Sequence, residues 1–265
     1  MMTFLLRIGW LLSDWLAERL RDAAAWPINL IRDLPRRLGR LLAWVWFSGR
    51  GILAFGWGLF QAKPAGWGNW LKDEAVKLGS AFHRLVCYLF DLAGGPELAE
   101  FLMHLVMPTT PLTVTEMAAV AQVLGPTALR YGEVRIAEGG ILPLIFRLNK
   151  GRAYALWHTI HLPARGRDDL SLLVHETTHV YQYEQVGSIY IGEALFAQWT
   201  LGRGAYHYGG TTGLKQAHQA NRSYKTFTRE QQAQMAQDYY SLMQAKSGDA
   251  AAYEPYIQAL RNGQF

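Results

Sequence analysis

Two histidines four residues apart bracket a glutamate and two threonines in the run His175-Glu176-Thr177-Thr178-His179. On an α-helix, residues i and i+4 share one face about one turn (5.4 Å) apart, so both imidazoles reach the same point in space. HExxH in that setting is a zinc site with a base beside it. The residue after the first histidine points next to the ion and not onto it. From there Glu176 can polarise a water and pass its proton to a leaving group. The surroundings fit a helix buried on every side. Leu172-Leu173-Val174 precede the run, Val180-Tyr181 follow it, and the two middle positions carry no charge. Asp168 and Asp169 stand where an N-cap and the helix dipole favour acids, and Gly187 follows as a stop. The pattern predicts a buried helix of about 16 residues.

A catalytic zinc site has three protein ligands and an open position for water, so a third donor is needed. Glu193 is the first choice: it lies 14 residues after His179, past a turn at Gln185-Val186-Gly187-Ser188. Its segment, Tyr190 to Trp199, reads as a helix, and Gly192, Ala194 and Ala197 leave room for close packing on the HExxH helix. That pairing resembles gluzincins, where a glutamate on a following helix completes the site. His207 is the alternative, which would give three histidines. Glu184 falls about 140° off the ligand face and reads as an ordinary surface carboxylate. Tyr206 and Tyr208 are candidates to donate a hydrogen bond to the oxyanion formed when water attacks a carbonyl. His158 and His161, three apart on a predicted strand, face opposite sides and are read as strand residues, not ligands.

The segments Pro111-Leu112-Thr113 to Glu116, Tyr131 to Ile136, Trp157-His158-Thr159-Ile160-His161-Leu162-Pro163 and Leu173 to Tyr183 follow one another at short intervals. Together with Tyr190-Ile191-Gly192-Glu193-Ala194-Leu195 and Ala205-Tyr206-His207-Tyr208, they make residues 108–210 similar to the zincin-like metallopeptidase domain of bacterial Vgr-related and toxin-associated proteins. The resemblance is most specific at the HE-x-x-HV-x-Q run. It implies a zinc-dependent, protease-like domain often found with secretion or injection machinery, and it does not reach residues 1–107.

Charge divides the chain unevenly. Of the net +5, all resides in residues 1–63, which hold nine basic and four acidic side chains and six of the ten tryptophans. A basic, Trp-rich, amphipathic stretch is the composition of an interfacial membrane element or of a helical bundle. Between Phe4 and Leu20, the residues Leu5, Ile8, Leu12, Trp15, Leu16 and Leu20 form one apolar stripe. Leu41 to Phe60 carries a single charge, Arg50, near its centre, which argues against a stable membrane span. Arg7, Asp14 and the charges from Glu18 to Asp22 interrupt any signal-peptide pattern, so the sequence suggests cytoplasmic synthesis with peripheral membrane association or export by a dedicated apparatus. The basic residues are interleaved with long apolar runs, which disfavours nucleic acid as a partner. Cys87 is the lone cysteine, so neither a disulfide framework nor a cysteine metal site is expected.

Pro64-Ala65-Gly66-Trp67-Gly68 reads as a break, with helices expected at about 70–93 and 96–107. Pro108 to Pro111 marks the expected boundary between a helical region, 1–107, and a domain at 108–265. Thr113 and Glu116 have the spacing of a capping box for a helix ending near Gly125. Short strands are expected at about 133–137, 141–147 and 153–162, and further helices at about 228–247 and 251–262. The fold class is α+β, predominantly helical: a zincin-like metallopeptidase domain with a small antiparallel sheet behind a helical N-terminal region. The expected function is a zinc peptidase in which His175, His179 and Glu193 hold Zn2+ and Glu176 activates the water on it for attack on a peptide or protein substrate. The alternative is a membrane-associating or assembly protein whose zincin-like domain is catalytically silent, with residues 1–63 meeting an anionic membrane surface.

Overall fold

The computed structural model describes the backbone of residues 2–61, 67–138, 151–163 and 165–265, and side chains at 13, 15–48, 50, 71–138, 151–163 and 165–265. The expected strand at 141–147 lies outside the described residues, as do Pro64, Ala65 and Gly66 of the expected break. The chain separates into two compact units: residues 1–101 with Gly187–Ile189, and residues 102–186 with 190–265. The sequence placed the boundary six residues later, at Pro108.

The first unit is helical. It is built from α1 (Met2–Gln61), α2 (Trp67–Leu92) and most of α3 (Gly95–Val106). At 60 residues, α1 is about 90 Å long and carries Pro27 and Pro35 within it, each removing one backbone donor. It packs along α2. Arg37, on α1, is buried and donates both to the Asp91 carbonyl at the end of α2 and to the Glu97 carboxylate on α3. A planar, always-charged fork with acceptors on two other helices fixes how the three meet. Gly94 turns the chain between α2 and α3 at φ +75°, and a Cβ there would stand 3.0 Å from the Trp26 ring nitrogen. Among the described residues, no helix is long and apolar enough to cross a membrane.

The second unit runs β1 (Thr109–Pro111), α4 (Val114–Leu124), β2 (Arg135–Ala137), β3 (Tyr154–Leu156), β4 (Thr159–His161), α5 (Leu170–Val186), α6 (Ile189–Leu201), α7 (Gly210–Gln219), α8 (Arg229–Gln244) and α9 (Glu254–Arg261). Thr113 and Glu116 close both hydrogen bonds of the capping box on α4. The sheet has the order β1-β2-β4-β3 and is mixed, not antiparallel: β2 and β4 run parallel, while β1–β2 and β3–β4 are antiparallel. The reason is a hairpin in place of the single strand expected over 153–162. Trp157 and His158 form its two-residue turn, with Trp157 at φ +54°, so only the returning arm, β4, lies beside β2.

The HExxH helix, α5, is the centre of this unit, packed against α8, α4 and β3. Every residue from Leu173 to Glu184 is buried. Leu173, Val174 and Val180 join Val120, Ile160, Met235 and Ile257 in one core, each such side chain contributing roughly 1.5–3 kcal/mol by leaving water. Asp169 caps the helix by accepting from the Ser171 and Leu172 amides at 2.9 and 3.1 Å. Thr177 and Thr178 turn their hydroxyls back to the Leu173 and Val174 carbonyls at 2.7 and 2.8 Å, which lets two polar side chains sit in an apolar core.

Glu184 is the clearest departure from the sequence reading. It is buried, and its Oε1 accepts from Arg130 Nε at 3.0 Å and lies 3.1 Å from His158 Nε2. Burial alone would raise this carboxyl, but His158 and then Arg130 outweigh it and hold the group down at about 2. A depressed carboxylate stabilises the fold above its unfolded value of 4.5 and loses that contribution as pH falls toward 2. We expect Glu184→Ala to cost about 1.5–3 kcal/mol in urea unfolding, because His158 and Arg130 lose a charged acceptor while Arg130 keeps Glu133 at 3.0 Å. The variant should also lose part of the wild type's destabilisation between about pH 4.5 and 2. A loss below about 0.5 kcal/mol would return Glu184 to the status of a surface residue.

Candidate metal centre

One turn of α5 carries both histidines toward the start of α8. His175 Nε2 and His179 Nε2 each lie 3.4 Å from the same atom, Glu230 Oε2. All three donors fall within 4.8 Å of one another, and all three residues are buried. This is the only group of three or more His, Cys, Asp or Glu with metal-binding spacing among the described residues.

Two of the three ligand atoms, on His179 and Glu230, are presented by hydrogen bonds behind them, while His175 Nδ1 has no hydrogen-bond partner. Gln182, one turn past His179, donates from Nε2 to the Arg229 carbonyl and to Gln232 Oε1, at 3.1 and 3.0 Å. Its own Oε1 therefore faces His179 Nδ1, at 2.8 Å, and must accept from it. In the neutral ring the proton is thereby assigned to Nδ1, and the lone pair of His179 falls on Nε2, toward Glu230. Glu230 is held in turn by Gln198, whose Nε2 donates to Oε1 at 2.7 Å and leaves Oε2 for the histidines. Tyr190 lays its ring along His179, with centroids 6.3 Å apart, while its hydroxyl donates to the Ala155 carbonyl on β3. Burial opposes charge on His179, but Glu230 prevails and raises it to about 9; in the same exchange Glu230 is held well below the usual carboxylate range. Two basic nitrogens around one anionic oxygen, all on buried residues, suit a divalent cation.

Glu176 completes the cluster. It is buried, its Oε2 has no hydrogen-bond partner, and burial pushes its carboxyl up from the ordinary value. A cavity of about 390 Å³ opens over these groups, lined by His175, Glu176, His179 and Glu230, by Tyr190, Ala194, Leu195 and Gln198 from α6, by Tyr206, and by residues 152–156 leading into and along β3. The donor set fits zinc: two imidazoles and a carboxylate at close spacing, one tautomer fixed, and a buried, unpartnered carboxylate oxygen on the neighbouring Glu176.

Glu193 is not part of the cluster. At 100° per residue it lies about 130° around α6 from the residues that face the cavity, and its Oε2 pairs with Arg229 Nε at 2.7 Å. His207 is exposed and contributes its backbone carbonyl to Gln231, not its ring to the site. Tyr206 does line the cavity. Its ring lies 6.0 Å from that of His175, its hydroxyl accepts from Gln198 at 3.1 Å, and burial raises its phenol well above 10. Tyr208 points elsewhere: its hydroxyl donates to Asp238 and lies 2.9 Å from that of Tyr253, so it is committed away from the cavity. His158 sits in the β3–β4 turn on Glu184, and His161 stacks on Tyr154 at 4.4 Å. Glu230 went unread in the sequence. Its only local signal is a place in the first turn of a helix capped by Thr228 and Gln231, which any dipole-matching acid would share.

No family model, curated protein or solved structure matches the chain.

Zinc titration of the purified chain should rank the ligands. Glu230→Ala should lose affinity by more than the roughly 10–100-fold expected for Gln182→Ala, which only frees the His179 ring. Glu193→Ala should bind like wild type. Loss of binding in Glu193→Ala with retention in Glu230→Ala would reverse the assignment.

Proposed function

We propose that this chain is a zinc-dependent peptidase. The observation that carries this is the convergence of His175, His179 and Glu230 beside a buried Glu176 that lines the same cavity and whose Oε2 has no hydrogen-bond partner. The two imidazole Nε2 atoms and Glu230 Oε2 would hold the ion. When bound, zinc supplies a Lewis acid that polarises a carbonyl and makes water acidic near neutral pH.

The chain's own residues supply the rest. Glu176 Oε2 takes a proton from the attacking water and returns it to the leaving amine nitrogen. Its burial favours this, because a carboxylate raised from its usual value is a stronger base for the first transfer and holds the proton for the second. Tyr206 places a phenol at the cavity wall, still protonated at neutral pH, where it can donate to oxygen as negative charge develops on the carbonyl. Gln182 and Gln198 keep His179 and Glu230 aimed, so that no reorganisation is needed during the reaction. The apolar walls from Leu156, Ile191, Ala194 and Leu195 exclude bulk water from that exchange. A catalytically silent domain would carry the same metal but would show no dependence on Glu176.

In a hydrolysis assay on unfolded protein or a peptide library, Glu176→Gln should keep wild-type zinc content and lose essentially all activity. Tyr206→Phe should lower kcat by about 10²–10³ with little change in KM, as removal of one oxyanion donor does. Retained hydrolysis in Glu176→Gln would remove that residue from the chemistry. Chelation should abolish activity and also lower the melting temperature of the chain, since metal binding adds to folding free energy.

A further inference from the structure

The first unit leaves a second apolar face of α1 uncovered. At 100° per residue, the buried side chains Arg19, Asp33 and Arg37 fall within about 40° of arc, the side that packs inward. Leu16, Leu20, Ile31, Leu34, Leu38 and Leu42 fall within a separate arc of about 80°, centred roughly 110° away. These six are between 41% and 69% exposed. An amphipathic helix that had only to pack on α2 and α3 would carry polar residues here. Scattered exposed leucines are ordinary, but a continuous stripe running some 26 residues, about 40 Å of helix, marks a surface that is covered in use.

Charge beside the stripe identifies the cover. The exposed arginines Arg21, Arg32, Arg36 and Arg50 share an arc of about 60°, and Ile28 and Trp46 bridge it to the leucines. The described acids of the same helix offset them only in part. Glu18 and Asp22 meet Arg19, and buried Asp33 meets Arg36 and Arg37 and stands 3.8 Å from Arg32, so seven described arginines of this helix face three described acids. An exposed apolar stripe flanked by a predominantly basic row, with tryptophan between, is the arrangement of a helix lying in the plane of an anionic lipid surface. The leucines enter the acyl boundary and the long arginine side chains reach back to the headgroups. A second copy of the chain would bring the same cations, and the described acids of this helix are already engaged by its own arginines.

We infer that α1 docks the protein flat on an anionic membrane surface through the Leu16–Leu42 stripe and its flanking arginine row. The surface is held from one side only, which agrees with the absence of a membrane-crossing helix among the described residues. This is independent of the metal centre, so either can fail without the other.

Co-sedimentation of the full chain with phosphatidylcholine vesicles, with and without about 30% phosphatidylglycerol, tests it, since anionic headgroups contribute per basic residue. Wild type should bind the anionic vesicles and release as salt rises. Leu34→Gln/Leu38→Gln/Leu42→Gln should lower partitioning roughly a hundredfold, with far-UV circular dichroism confirming that the exposed changes leave the helix formed. Arg21→Gln/Arg50→Gln, which leaves the Arg37 contacts intact, should lower it on the order of tenfold and flatten the salt dependence. Failure to bind either vesicle would overturn the inference, as would equal binding by wild type and the triple leucine variant. A concentration-dependent dimer that the triple variant dissolves and vesicles do not disturb would also overturn it, in favour of a second copy.

Discussion

A helix buried on every side must satisfy its polar side chains from within the protein, and the second unit is organised around that constraint. Between Leu173 and Glu184, α5 carries two histidines, two threonines, two glutamates and a glutamine out of reach of water. An unpaired polar group in such a place costs a few kcal/mol. The threonines are satisfied by their own helix, Glu184 by Arg130 and His158, and Gln182 by Arg229 and Gln232. What the packing leaves is Glu176 Oε2 and His175 Nδ1 without a partner, and the two Nε2 atoms around Glu230, all on residues that line one cavity. The chemistry sits where the structural bonds run out.

The same logic explains why Glu230 serves and Glu193 does not. A third donor must reach both imidazoles at once, and α8 makes the most extensive contact with α5 of any element in the unit. Its first turn delivers a carboxylate beside His175 and His179. The α6 helix instead gives the cavity its apolar wall and Gln198, and turns Glu193 outward to Arg229. Arg229 and Glu230 are adjacent, so one turn of helix both neutralises the outward acid and presents the inward one.

The first unit obeys a different rule. Among its described residues, the buried arginine Arg37 ties three helices, and the buried side chains of α1 are charged: Arg19, Asp33 and Arg37. Apolar side chains that would fill an apolar core are displayed outside, on α1 and also on α2 at Leu71, Leu78, Phe82 and Leu89. A chain with half its residues hydrophobic and few charges has more apolar surface than these packed faces consume.

Local signals in the sequence were enough for several helical elements, though not for α7 at Gly210–Gln219 or for the 60-residue length of α1. The capping box at Thr113, the acid before α5, Gly187 after it, and the i, i+4 histidines act over a single turn, so their geometry follows from neighbours along the chain. The helices expected at 70–93 and 96–107 needed only periodicity and a glycine pair. Where a contact joined distant segments, local reading failed. Glu184 read as surface because burial is a property of what packs against a residue. The strand over 153–162 hid a hairpin because nothing local marks Trp157 for a positive φ. The third donor, 51 residues beyond His179, was invisible for the same reason. The sequence by itself determined a helix bearing two imidazoles and a base. Only the tertiary structure decided which carboxylate meets them, since that depends on α8 crossing α5 and on no pattern within either helix.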